Sequence, residues 1–216
     1  MLLFDALSPA PRTVRMYLAE KDLTLPTRQI DVFAGENRQA PYLALNPTGQ
    51  TPTLRLDDGS HIGEAVAIME YLEELHPDPA LIGATAEQRA LTRQWQRRAE
   101  LNITEFIHNA YHYAEGLARF RDRIPVAPDA AADLKRVARD RIAWLDAMLD
   151  GHTFLVGERF TMADIWLYVW LDFADSVGQR LDHTLRNIGP WFERIAARPS
   201  AIASLHRSCK PGGVRG

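Results

Sequence analysis

The sequence predicts a small mixed α/β domain followed by an all-helical domain, and three observations carry that. Strand and helix signals alternate as β-α-β-α-β-β-α over the first ~75 residues, the order of a mixed sheet covered by helices. The run His76-Pro77-Asp78-Pro79 then breaks the last helix of the set. From Ala86 onward every periodic segment is helical and none reads as a strand. The expected domains are residues 1–77 and 86–208.

Each element has a local reason. Met1 to Asp5 is short and apolar, a first strand, and Ser8-Pro9-Ala10-Pro11 is the loop after it. Val14, Tyr17 and Leu18 recur at helical spacing behind Pro11, a residue favoured in a first helical turn. Thr27 to Val32 reads as a second strand, parallel to the first through a right-handed crossover. Pro41 to Leu45 is a short helix. Thr53 to Leu56 and Ser60 to Ile62 flank the turn Asp57-Asp58-Gly59, a hairpin signal. Glu64 to Leu75 places Ile68, Tyr71, Leu72 and Leu75 on one helical face.

In the second domain, one long helix is expected from Glu87 to about Ala118, with Leu91, Trp95, Ile103, Phe106, Ile107 and Ala110 inward. Others run from Asp129 to Leu149, Met162 to about Ser176, Pro190 to Ala197 and Ser200 to His206. The tail from Cys209 to Gly213 is expected to be disordered. Thr161 and Asp164 form a capping pair ahead of the Met162 helix, with Phe160 and Ile165 as a hydrophobic staple. Loss of either the Thr161 or the Asp164 side chain there is expected to cost about 1 kcal/mol.

A hydrophobic content of 46% and a charged content of 25% are those of a soluble globular chain. A net charge of −3 gives no reason to expect nucleic acid or an anionic membrane as partner. No apolar run approaches the ~18 residues of a spanning helix. The start Met-Leu-Leu-Phe-Asp has no basic region, so no signal peptide is expected. The single Cys209 excludes an internal disulfide, and the cytoplasm is the expected compartment. Of the histidines only His108 and His112 are four residues apart, without an obvious third ligand, so no metal is expected.

The most informative stretch is Asn46-Pro47-Thr48-Gly49-Gln50-Thr51-Pro52-Thr53-Leu54. Proline cannot donate to a ladder, so Pro52 belongs at a strand start or an edge, and Thr51-Pro52 is a candidate cis peptide. A turn of this kind leaves the N–H and C=O of Thr51 facing outward, ready to pair with an extended peptide. Glu64, twelve residues on, opens a helix whose N-terminus attracts carboxylates. Together these describe a socket for a small acidic peptide.

Four segments, in this order and spacing, resemble the cytosolic glutathione transferases. They are Ser8-Pro9-Ala10-Pro11-Arg12; Asn46-Pro47-x-Gly49-x-Thr51-Pro52; Gly63-Glu64-Ala65-x-Ala67-Ile68-x-x-Tyr71-Leu72; and Phe160-Thr161-x-Ala163-Asp164-Ile165. The resemblance implies a thioredoxin-like N-terminal domain, an all-α C-terminal domain, a homodimer and glutathione as cosubstrate. It also implies a detoxifying activity: transfer of the glutathione thiolate to a small hydrophobic electrophile. By position, the backbone of Thr51 at Pro52 would pair with the cysteinyl unit, and Glu64 would hold the γ-glutamyl end. Asn37 and Gln50 would lie at the glycyl carboxylate, and Ser8 would donate to the sulfur. Ala10 stands where the thiol-transferase branches carry cysteine.

One departure is Ala65, where the family usually has a serine whose hydroxyl binds the γ-glutamyl carboxylate. Such a bond is worth about 1.5–3 kcal/mol, roughly tenfold or more in affinity. Ser60 or an arginine from a partner subunit are the candidates to replace it.

Such a site has to make a thiolate. A thiol with pKa near 8.5 is about 3% ionised at pH 7, and lowering the pKa by two units takes about 2.7 kcal/mol. Ser8 and the start of the following helix can supply this together. From the residues alone, Ser8 is a helix cap or a plain loop serine; the resemblance makes it the sulfur's donor. The segment Trp95-x-Arg97-Arg98-x-Glu100, with the Ser8-Pro9-x-Pro11 loop, resembles a fungal and bacterial branch in which residues of the helical domain and a water ionise the thiol. There the candidates are His108, Tyr111 and His112, as activators or as the wall of an electrophile pocket. Glu64 also has a plain alternative, as a helix-dipole partner. A non-catalytic binder of glutathione or apolar ligands, and a glutathione-dependent isomerase, ether-cleaving enzyme or dehalogenase, are the alternative functions.

Overall fold

The computed structural model describes all 216 residues. They divide into two compact units, Met1–Ile82 with Arg198–Gly216, and Gly83–Ala197.

The first unit contains β1 (Leu2–Asp5), α1 (Pro9–Glu20), β2 (Thr27–Gln29), α2 (Ala40–Leu43), β3 (Thr53–Arg55), β4 (His61–Gly63) and α3 (Ala65–Leu75). The sheet order is β2-β1-β3-β4, with β1 and β2 parallel and the other pairs antiparallel. This is the mixed sheet the sequence predicts, in thioredoxin-like order. Alternation of side chains sets its two faces. Phe4 packs with Ile30 and Tyr42 on one side. Leu3 and Leu54, paired across β1 and β3, are wholly buried on the other. Strand β2 is shorter than expected. Asp31 ends it, because its carboxylate accepts the amides of Phe33 and Ala34, each at 2.9 Å.

Residues 198–216 cluster with this unit, whereas the sequence placed residues up to 208 in the helical domain. Side chains of α1 hold them there. Arg12, 1% exposed, donates to Ser204 Oγ at 3.3 Å and Ala201 O at 3.2 Å, and so holds α10 (Pro199–Ala203). Arg15 donates to Ser204 O at 2.8 Å, and Arg198 grips Glu20 through two bonds of 2.7 Å. The segment after α10 is not disordered, against expectation. Its amides at Cys209 and Gly213 bond back to His206 O (2.8 Å) and Lys210 O (2.9 Å).

The second unit is all-helical: α4 (Ala86–Ala99), α5 (Glu105–Tyr113), α6 (Leu117–Phe120), α7 (Ala131–Met148), α8 (Met162–Ser176) and α9 (Ile188–Ala196). The single helix expected from Glu87 to Ala118 is interrupted by a π-turn over Glu100–Thr104. Asn102 and Thr104 side chains donate to the Arg98 and Glu100 carbonyls there, competing with the backbone ladder. The inward stripe on α4 is Thr92, Trp95, Gln96 and Ala99, and Leu91 is 46% exposed instead of buried. Helix α8 is buried on every side over Met162–Ala174 and forms the centre of the unit. No helix is long and apolar enough to cross a membrane.

Asp164 anchors the start of α8. Its Oδ2 accepts the Thr161 amide and hydroxyl, both at 2.9 Å. Its Oδ1 accepts the Leu155 amide at 2.8 Å and Trp191 Nε1 at 2.9 Å. The expected capping pair is thus the hub of a buried network joining α8, α9 and the preceding loop.

Candidate active site

Sheet register brings the first unit's candidate residues to one edge. Phe4 pairs with Arg28 and Thr53, and Thr53 pairs with Gly63, making one row across all four strands. Just beyond that row on the same edge come the Ser8 loop, Thr51-Pro52 and Glu64.

Thr51-Pro52 is cis. Neither the N–H nor the C=O of Thr51 hydrogen-bonds to any part of the chain. The turn beneath it is fixed from behind: Gln50 O accepts from Tyr42 OH at 2.7 Å and Asn46 Nδ2 at 3.1 Å. An extended peptide therefore meets a rigid, unpaired edge at Thr51.

Ser8 occupies the N-cap position of α1 but does not cap it; its hydroxyl makes no hydrogen bond within the protein. The plain cap role is thus not the one taken. Pro9 and Pro11 remove two of the first N–H groups, and the Arg12 amide bonds to Ser8 O at 3.2 Å. The open backbone donor of this helix start is the amide of Ala10.

Glu64 precedes α3 with φ 63° and ψ 119°, a conformation rarely held by a residue with a side chain. Such strain costs of order 1–3 kcal/mol and clusters at functional sites. Its carboxylate is exposed and without a partner. The first bond of α3 is Ile68 N to Glu64 O (3.0 Å), so the amides of Ala65, Val66 and Ala67 face outward unpaired. These can hold a carboxylate while Glu64 takes an ammonium. Ser60 does not replace the hydroxyl missing at Ala65: its Oγ donates to Asp58 at 2.6 Å inside the hairpin turn. Replacing Glu64 by glycine separates strain from binding. The variant is expected to be about 1 kcal/mol more stable in urea and to bind glutathione about tenfold more weakly by calorimetry.

Asn37 is buried and its Nδ2 donates to Gly49 O at 2.7 Å, so it shapes the turn. The Gln50 side chain is exposed. Arg38, which the sequence reading passed over, donates to Thr48 O at 3.2 Å and brings a cation to the same corner. Its signal was a basic residue directly after Asn37. A cavity of about 400 Å³ opens at this edge, lined by Leu7, Ile30, Val32 and Phe33 with Gln29, Asp31, Glu36 and His206–Ser208. Phe33 is 42% exposed at the cavity.

In the second unit His108 packs at ring-centroid distances of 4.1 Å on His112 and 4.9 Å on Trp170. It makes no hydrogen bond and keeps some open surface. Burial among these rings lowers its pKa to about 4. A neutral imidazole with so low a pKa is a weak base toward a thiol near 8.5, though its N–H can still donate. Tyr111 and His112 are buried; Tyr111 OH accepts from Arg119 at 3.3 Å, and the His112 ring lies 4.0 Å from Phe120. His108 binds a proton less readily folded than unfolded. Its stabilisation is complete above about pH 6.5 and is lost as pH falls toward about 4. His108→Gln should flatten that part of the stability–pH curve, measured by urea midpoints from about pH 7 to 4.5.

Family models for the glutathione S-transferase N-terminal domain and C-terminal domain match residues 7–75 and 118–199. The chain belongs to the glutathione S-transferase family. Glutathione S-transferase 2 of Saccharomyces cerevisiae is 30% identical over 208 residues, 93% of this chain and 87% of that protein. Maleylacetoacetate isomerase of Pseudomonas aeruginosa is 30% identical over 202 residues, 92% and 91% of the two chains. The structure of a glutathione S-transferase domain-containing protein from Marinobacter aquaeolei superposes with a TM-score of 0.87 at 36% identity, covering 93% of this chain and 99% of that one.

Proposed function

We propose that this glutathione S-transferase conjugates the glutathione thiolate to a small hydrophobic electrophile, without a metal. The open N–H and C=O of Thr51 beside the unused Ser8 hydroxyl carry this reading. The cysteinyl main chain pairs with Thr51 at the cis Pro52, and its sulfur meets Ser8 Oγ. The γ-glutamyl carboxylate lies on the amides of residues 65–67, and Glu64 takes the ammonium. Arg38 and Gln50 face the glycyl carboxylate, with Asn37 holding their turn. The electrophile enters the cavity walled by Leu7, Val32 and Phe33. Ser8, a donor at a helix start, supports thiolate formation better than His108, whose lowered pKa makes it a weak base.

The reading includes a cytoplasmic homodimer, for which the exposed Leu91 and Leu101 of the second unit provide apolar surface. Calorimetric glutathione binding, together with turnover of a chloronitrobenzene, tests the proposal. Binding with turnover is expected. Binding with no turnover across several electrophile classes would reassign the protein as a binder. A second reading, a glutathione-dependent isomerase, is favoured by the relative of that name; cis–trans conversion of an unsaturated diketo acid without net consumption of glutathione would select it.

A further inference from the structure

The segment 206–216 is a closed loop folded onto Ser8. His206 N donates to Gly216 O at 3.0 Å, and the Cys209 thiol donates to Val214 O at 3.2 Å. The loop is tied to the sheet through His206, whose ring nitrogen Nε2 lies 2.5 Å from Gln29 Oε1. Gln29 in turn donates to Asp5 at 2.9 Å. At its far end Gly216 is buried flat against the Ser8 main chain. A methyl group there would fall 2.6 Å from the Ser8 amide nitrogen and 2.8 Å from its Cα. Glycine alone permits so close an approach. The beginning of the same loop, His206–Ser208, is a wall of the 400 Å³ cavity. One segment therefore touches both the thiol donor and the electrophile's cavity.

We propose that residues 206–216 are a strap that closes over Ser8 and lifts when glutathione binds, uncovering Ser8 and withdrawing one wall of the cavity. The inference rests on the glutathione reading above. The strap is built to move. Its described ties are hydrogen bonds, Pro211 and Gly212 are exposed, and it contributes little apolar burial. Closure lowers the apparent affinity in proportion to the fraction of time the strap is open.

Amide hydrogen exchange on the full chain, with and without saturating glutathione, tests this. The Cys209 and Gly213 amides are expected to be protected in the free protein and to exchange about tenfold faster once glutathione is bound. Unchanged or slower exchange, with binding confirmed by calorimetry, would overturn the strap and leave the glutathione reading standing. No calorimetric binding would overturn both. Gly216→Ala adds the methyl that collides with Ser8 and dislodges the strap. Fast exchange at Cys209 and Gly213 without ligand, and about tenfold tighter glutathione binding, are expected. A dislodged strap with unchanged affinity would contradict the proposal.

Discussion

Ser8→Ala is expected to raise the pKa of bound glutathione by about one to two units and to cut conjugation near pH 6.5 by about 10–100-fold. A hydrogen bond to a charged sulfur is worth about 1.5–3 kcal/mol, and all of it acts on the thiolate rather than the thiol. The Ser8 hydroxyl has no hydrogen-bond partner within the chain that could move in to replace it. The Ala10 amide remains, so activity should survive in reduced form. The variant's thiol titrates later, so the rate deficit should shrink as pH rises toward about 9. Ultraviolet titration of the bound thiolate measures the shift directly. An unchanged pKa would remove Ser8 as activator. It would turn attention to a donor from the helical unit, where His108 retains an unpaired ring.

The largest stability effect belongs to Asp164. Asp164→Ala should destabilise the protein by about 3–5 kcal/mol and lower its melting temperature by about 10 °C. The carboxylate is wholly buried and accepts from Thr161 N, Thr161 Oγ1, Leu155 N and Trp191 Nε1. Its removal strands several donors away from water, each at about 1–3 kcal/mol. Asp164→Asn should fall between, since its Oδ1 can still serve Leu155 and Trp191 while its amide nitrogen faces two donors. Glutathione affinity should be unaffected wherever the variant remains folded. A melting temperature within about 2 °C of the parent would show that the network does not hold α8.

The N-terminal fold was legible because its signals are local. Prolines and glycines punctuate each turn, Pro52 marks a strand start, and alternation puts Leu3 and Leu54 opposite Phe4's face. The capping pair at Thr161 and Asp164 was legible for the same reason, but its partners Leu155 and Trp191 were not. They come from distant positions that only packing brings together. The π-turn at Glu100–Thr104 escaped because helical periodicity tolerates one extra residue. The order of residues 206–216 escaped too. Gly212 and Gly213 read as flexible, yet Arg12 and Arg15 pull α10 onto α1 and bring the segment to Ser8. In the site, Thr51 was legible because its role lies in the main chain. The committed amide of Asn37 and the spent hydroxyl of Ser60 required the fold itself, since nothing in a residue's identity says which neighbour it already serves.

A crystal structure with bound glutathione would decide whether a tripeptide docks as an added strand at Thr51. The cysteinyl N–H and C=O should lie about 2.7–3.2 Å from the Thr51 carbonyl oxygen and amide nitrogen, with the sulfur in reach of Ser8 Oγ. A tripeptide seated elsewhere, with both Thr51 groups left to solvent, would contradict the assignment.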